Sequence, residues 1–227
     1  MQEEKLQDAR KFKRWKEKLV ENNLKINGVE EVYTRRNHNG EVLFSTLMLD
    51  AVTPEGHKIP PICFLKGDVV CILVCLIDAE TKEKYLLLVR QRRIASGELT
   101  FEHPAGMVDG TKTTFQICVQ EVFEETGIHI TEDQLLDLSK GKPYYPSTGT
   151  SDEAMFFFAC ELEMTKAEIE AFENQRHGTN EEHEFITTHV LSFQKAHQLI
   201  NNTNGLLLNY LYLKEVGDFE LMSQLSL

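Results

Sequence analysis

Apolar and polar positions run along this chain in three patterns, and each predicts a different kind of element. Near the start, Leu6, Phe12, Trp15 and Leu19 make a thin apolar stripe on a charged background, as in a polar helix over residues 3–22. Two alternating segments follow, "VEEVYTRR" and "EVLFSTLMLDAV". They are joined through "NHNG", where Asn39-Gly40 signals a hairpin. From Val69 to Ile77 the chain is continuously apolar, "VVCILVCLI", too short to cross a bilayer and suited to a strand buried on both faces.

The same reading predicts strands over 68–77, 84–92, 98–103, 153–161 and 184–191, and helices over 113–126, 165–173, 192–201 and 205–216. Strands mixed with helices point to an α/β or α+β sandwich. Two domains are expected: a small helix-plus-antiparallel module over 1–65 and a main domain over 66–227.

The helix "TTFQICVQEVFEETG" is the best specified. Phe115, Cys118, Val119, Val122 and Phe123 lie at the spacing of one apolar face, Thr113 with Gln116 forms a capping box, and Gly127 closes the C-terminal end. It also carries an oddity. Glu121, Glu124 and Glu125 fall within a sector of about 100°, where like charges repel, and acids in the last turn oppose the helix dipole. A solvated acidic face is the plain explanation. Three features favour a divalent cation instead: the acids cluster, no Lys or Arg stands at i±4, and a glycine-bearing loop, "PAGMVDG", leads into the helix.

Charge sharpens this reading. The 227 residues carry 24 Lys and Arg against 36 Asp and Glu, a net charge of −12. That disfavours nucleic acid and anionic membranes as partners, and a phosphate-bearing ligand would need metal ions as a bridge. The charged, acid-rich start has no signal-peptide core. The five cysteines sit in apolar settings without metal-ligand spacing, which predicts buried reduced thiols in an intracellular, cytoplasmic protein.

The segment "GMVDGTKTTFQICVQEVFEETGI" resembles a Nudix box, whose pattern is G-x5-E-x7-R-E-U-x-E-E-x-G-U with U aliphatic. Gly106, Glu121, Val122, Glu124, Glu125, Gly127 and Ile128 match in register. Two positions depart: Lys112 stands where the first Glu is usual, and Gln120 where the Arg is usual. In the family that Arg helps orient the metal-binding glutamates, a task a neutral amide does only in part. The approach, "VRQRRIASGELTFEHPAGMVDG", and the downstream "YYPSTGTSDEAMFFFAC" and "NEEHEFITTHVLS" resemble the ADP-ribose and ADP-sugar pyrophosphatase branch, and are most similar to plant-type ADP-sugar diphosphatases.

The resemblance implies a Nudix-type α/β/α sandwich with a mixed sheet, a homodimer, and Mg²⁺ or Mn²⁺ as cofactor. It implies Glu121 and Glu125 as main metal ligands, Glu124 in support, the Ala105 carbonyl completing the set, and Glu184 as a further ligand. Glu182 is the implied general base, with Glu181 as its neighbouring alternative. Arg93 is expected on the diphosphate, with Glu102 at the substrate and metal group. The expected reaction splits a nucleoside diphosphate sugar into AMP and a sugar phosphate. Dinucleoside polyphosphates stay open as substrates, as does a scaffold that binds without turnover. Tyr144 and Tyr145 are read equally as base-stacking or packing residues, and His103 and His183 as packing or capping residues.

Overall fold

The computed structural model describes residues 3–178 and 185–225, and its chain forms two compact units. The first takes in Met1–Val69, Met107–Thr111 and Tyr144–Met155; the second takes in Val70–Gly106, Lys112–Pro143 and Phe156–Leu227. The expected module over 1–65 falls within the first.

In the first unit the expected helix over 3–22 is interrupted. A single 3-10 turn, Leu6–Asp8, gives way at an extended Ala9 to helix α1 (Arg10–Glu21). The break lets Leu6, Ala9, Phe12 and Trp15 all enter one cluster with Val42, Leu47, Cys63 and Leu65, which an unbroken helical stripe does not account for. Strands β1 (Lys25–Arg36) and β2 (Val42–Val52) pair antiparallel, as the alternation predicts. Their turn is held by Asn37, whose Oδ1 accepts the N–H groups of Asn39 and Glu41, while Gly40 takes a positive φ of 84°. A third strand, β3 (Ile62–Leu65), pairs with β2. Its four residues carry too little period for the sequence to announce.

The larger sheet contains β4 (Asp68–Asp78), β5 (Lys84–Arg92), β6 (Leu99–Glu102) and β7 (Ala105–Met107). Helix α2 (Thr114–Thr126) follows, then β8 (Leu136–Asp137), β9 (Ala154–Met164), α3 (Lys166–Glu170) and β10 (Arg176–His177). The chain continues through β11 (Ile186–Ser192), α4 (Phe193–Leu199), α5 (Thr203–Val216) and α6 (Phe219–Gln224). Strand order is β10-β11-β5-β4-β9-β8, with β6 on β5 and β7 on β4.

Leu86, Leu87, Leu88 and Val89 of β5 are all fully buried. Successive strand residues point to opposite faces, so both faces of the sheet are covered here; α2 and α4 both pack against β5 and β11. The expected α+β class with a mixed sheet is the one observed. All five cysteines are free and buried, and burial pushes the thiols of Cys63, Cys75 and Cys160 up to about 12. They are inert packing groups at neutral pH.

Candidate metal and phosphate site

The site is built where β6 runs through His103-Pro104 into β7 and α2 lies against that loop. The loop is anchored twice. The Pro104 carbonyl accepts the Ile72 N–H of β4 at 2.8 Å. His103 is buried, its Nε2 2.9 Å from the Asn209 Oδ1 of α5, and Asn209 Nδ2 lies 3.1 Å from His197 Nδ1. Burial lowers the His103 pKa to about 4, so the ring is neutral and donates from Nε2 to Asn209. This histidine packs, as its sequence setting suggested.

Helix α2 begins at Thr113, whose hydroxyl accepts the Gln116 N–H at 3.2 Å while Gln116 Oε1 accepts the Thr113 N–H at 3.1 Å. It ends at Gly127 with φ 74°. Its buried face is turned relative to the expected one: Ile117, Cys118, Val122, Glu125 and Thr126 are inside, whereas Phe123 is 46% exposed and stacks on His129. Apolar spacing alone ranked Phe123 above Ile117 and gave no hint that a carboxylate would sit in the core. The three glutamates therefore grade around the helix: Glu125 is 4% exposed, Glu121 half-buried and Glu124 exposed.

Two of them meet the loop backbone. Glu125 Oε2 accepts the Ala105 N–H at 3.2 Å. A Cβ on Gly106 would overlap the Glu121 carboxylate and its Cγ, so any side chain at 106 would displace that acid from the loop backbone. Burial, and then the charges of Glu102 and Glu125, push the thiol of Cys71 on β4 up.

Arg93 and Glu102 are brought together as a bidentate pair, Nε to Oε1 at 3.0 Å and Nη2 to Oε2 at 2.7 Å, with Arg93 about half exposed. Glu124 instead accepts both of its contacts from Gln120 Nε2, at 3.0 and 3.1 Å, and Gln120 Oε1 accepts from Lys112 Nζ. The two departures from the box are thus bonded to each other. Gln120 and Glu124 stand at i and i+4, a spacing readable from the sequence; the bond to Lys112, eight residues back, is not.

Glu181, Glu182, His183 and Glu184 lie outside the described residues. Tyr144 pairs through its backbone with Met155, and Tyr145 lies under Lys18 Nζ at 5.7 Å. Among the described residues, no three His, Cys, Asp or Glu side chains form a group able to hold an ion by themselves. Even so, the donors at the loop fit a hard divalent cation. They are carboxylate oxygens against a backbone stripped of side-chain bulk, with the nearby thiol and imidazole turned to the core.

The chain belongs to the Nudix family: the NUDIX domain matches residues 67–207, which take in the covered sheet and the junction of the loop with α2. It is 34% identical over 148 residues to Nudix hydrolase 14, chloroplastic, of Arabidopsis thaliana, covering 62% of this chain and 47% of the plant protein. The chain thus spans about half the length of that relative. It is also 46% identical over 43 residues, 19% of each chain, to a putative nudix hydrolase 2 of Caenorhabditis elegans. In fold it is similar to a crystal structure of an ADP compounds hydrolase, with TM-score 0.59 and 15% identity over 86% of this chain and 96% of the other. No helix among the described residues is long and apolar enough to cross a membrane.

Proposed function

We propose that this protein hydrolyses the diphosphate bond of nucleoside diphosphate sugars of the ADP-ribose or ADP-glucose class, using Mg²⁺ or Mn²⁺ and releasing AMP and a sugar phosphate. The observation that carries this reading is the seating of the Glu121 and Glu125 carboxylates on the Ala105–Gly106 backbone, at the end of an approach that resembles the ADP-sugar branch. Glu121, Glu125 and the Ala105 carbonyl would hold the cation, with Glu124 in support and Glu184 from the late loop. When bound, such a cation neutralises the diphosphate and lowers the pKa of water at the site.

The chain's own groups do the rest. Glu182 takes the proton from the attacking water. Arg93 presents a planar fork, satisfied here by Glu102; two phosphate oxygens offer the same bidentate geometry, so substrate can replace the carboxylate. The ADP compound in the structural neighbour's name is in keeping with an ADP-bearing substrate. A homodimer and a cytoplasmic setting complete the proposal; the five buried reduced thiols support a reducing compartment, while the plant relative's name places that protein in the chloroplast.

The test is chromatography of products after incubation with Mg²⁺ and ADP-ribose, ADP-glucose or diadenosine polyphosphates, beside Glu125→Gln. AMP from an ADP-sugar with wild type and none with the variant is the expected result. Turnover confined to diadenosine polyphosphates would move the substrate class, and nucleotide binding without turnover would make the chain a binding scaffold.

A further inference from the structure

We infer that Lys112 and Gln120 act as one positioning unit for Glu124, so that the two departures from the family pattern compensate each other. This rests on the reading above, in which Glu124 supports the metal ligands. An ammonium has only donors, a carboxylate only acceptors, and a primary amide one end of each. With Lys112 Nζ on one side and the Glu124 carboxylate on the other, the Gln120 amide has a single orientation that satisfies both neighbours: Oε1 toward Lys112 and Nε2 toward Glu124. The lysine fixes the amide, and the amide fixes the acid.

The family pattern has an acid at the Lys112 position and a guanidinium at the Gln120 position. Here the cation has moved to the other end of the contact, and an amide transmits its polarity along the helix edge. A test of this arrangement can be read by sign. Lys112→Glu removes a positive charge and adds a negative one near a cation site, so simple Coulomb attraction predicts tighter metal binding. The relay predicts the opposite: a carboxylate at 112 turns the amide around and aims Oε1 at Glu124.

The experiment is Mn²⁺ binding to the full chain, followed by electron paramagnetic resonance, for wild type, Glu125→Gln, Lys112→Glu, Gln120→Ala, and the two doubles Lys112→Glu/Gln120→Ala and Lys112→Glu/Gln120→Arg. Lys112 is exposed and Gln120 half-buried on the helix edge, and melting curves are to be taken to check that each variant is folded. Lys112→Glu and Gln120→Ala should each weaken binding about tenfold, the effect of losing a group that orients a metal ligand. Their double should be no weaker than Gln120→Ala alone, and Lys112→Glu/Gln120→Arg, which restores the family pair, should return to within about twofold of wild type. Tighter binding by Lys112→Glu, or effects that multiply in the first double, overturns the inference while Glu125→Gln still reports the site. Absence of Mn²⁺ binding to wild type overturns the underlying reading, and the inference with it.

Discussion

On the inner edge of α2, Glu125 is 4% exposed and takes the Ala105 N–H, whereas the preceding residue, Glu124, stands at the surface and is reached by Gln120 and, through it, Lys112. The residue type is the same, and its cost differs. Removing a carboxylate from water is expensive, so a buried one weakens the apo protein unless its surroundings repay the loss. The exposed one keeps its hydration, and its contacts are screened and weak. On the proposed function, an acid placed inside α2, where an apolar residue would pack, serves the cation rather than the core. The acid on the rim is adjustable, and its neighbours can drift from the family pattern provided they drift together.

The largest effect expected along this divide is that of Glu125→Gln, which should lower ADP-sugar hydrolysis by about 1,000-fold; AMP release measures it. Next comes the loop that meets the inner edge. His103 has an ordinary value of 6.5 and about 4 when folded. Above pH 6.5 both folded and unfolded states are neutral and the full stability is present. As pH falls the unfolded chain takes the proton first, so stability drops by about 3 kcal/mol until pH 4. Urea unfolding in chelator at pH 7 and 4.5 should show this loss, and His103→Gln should remove its share of the slope.

Gly106→Ala puts a Cβ onto the Glu121 carboxylate and must turn that side chain aside; kcat should fall by about tenfold or more while the melting temperature changes little. On the outer edge, Glu124→Gln should cost only about tenfold in metal affinity. An outer-edge loss as large as that of Glu125→Gln would erase the distinction between the two edges.

Much of this was legible in advance because long periods report themselves. The strand over 84–92 appears with the same bounds, and the helix expected at 113–126 appears as Thr114–Thr126 with both its caps. What escaped the sequence is short or depends on distant partners. Strands β3, β7, β8 and β10 each have four residues or fewer and borrow their pairing from neighbours. The break at Ala9 follows from packing against Val42 and Leu65, which no local pattern encodes. At the site, spacing placed the three acids on one sector of the helix. Which of them is buried depends on where loop 103–106 passes. Lys112 and Gln120 looked like two separate defects until their side chains proved to be in contact.

Whether Glu125 is buried for a cation's sake can be read from thermal unfolding of wild type and Glu125→Gln, each in chelator and in excess Mg²⁺. The variant should melt higher than wild type in chelator, because a buried charge has been removed, and Mg²⁺ should raise the melting temperature of wild type alone. A variant that melts lower in chelator and still gains as much from Mg²⁺ as wild type would show that Glu125 is a structural residue and that the cation binds elsewhere.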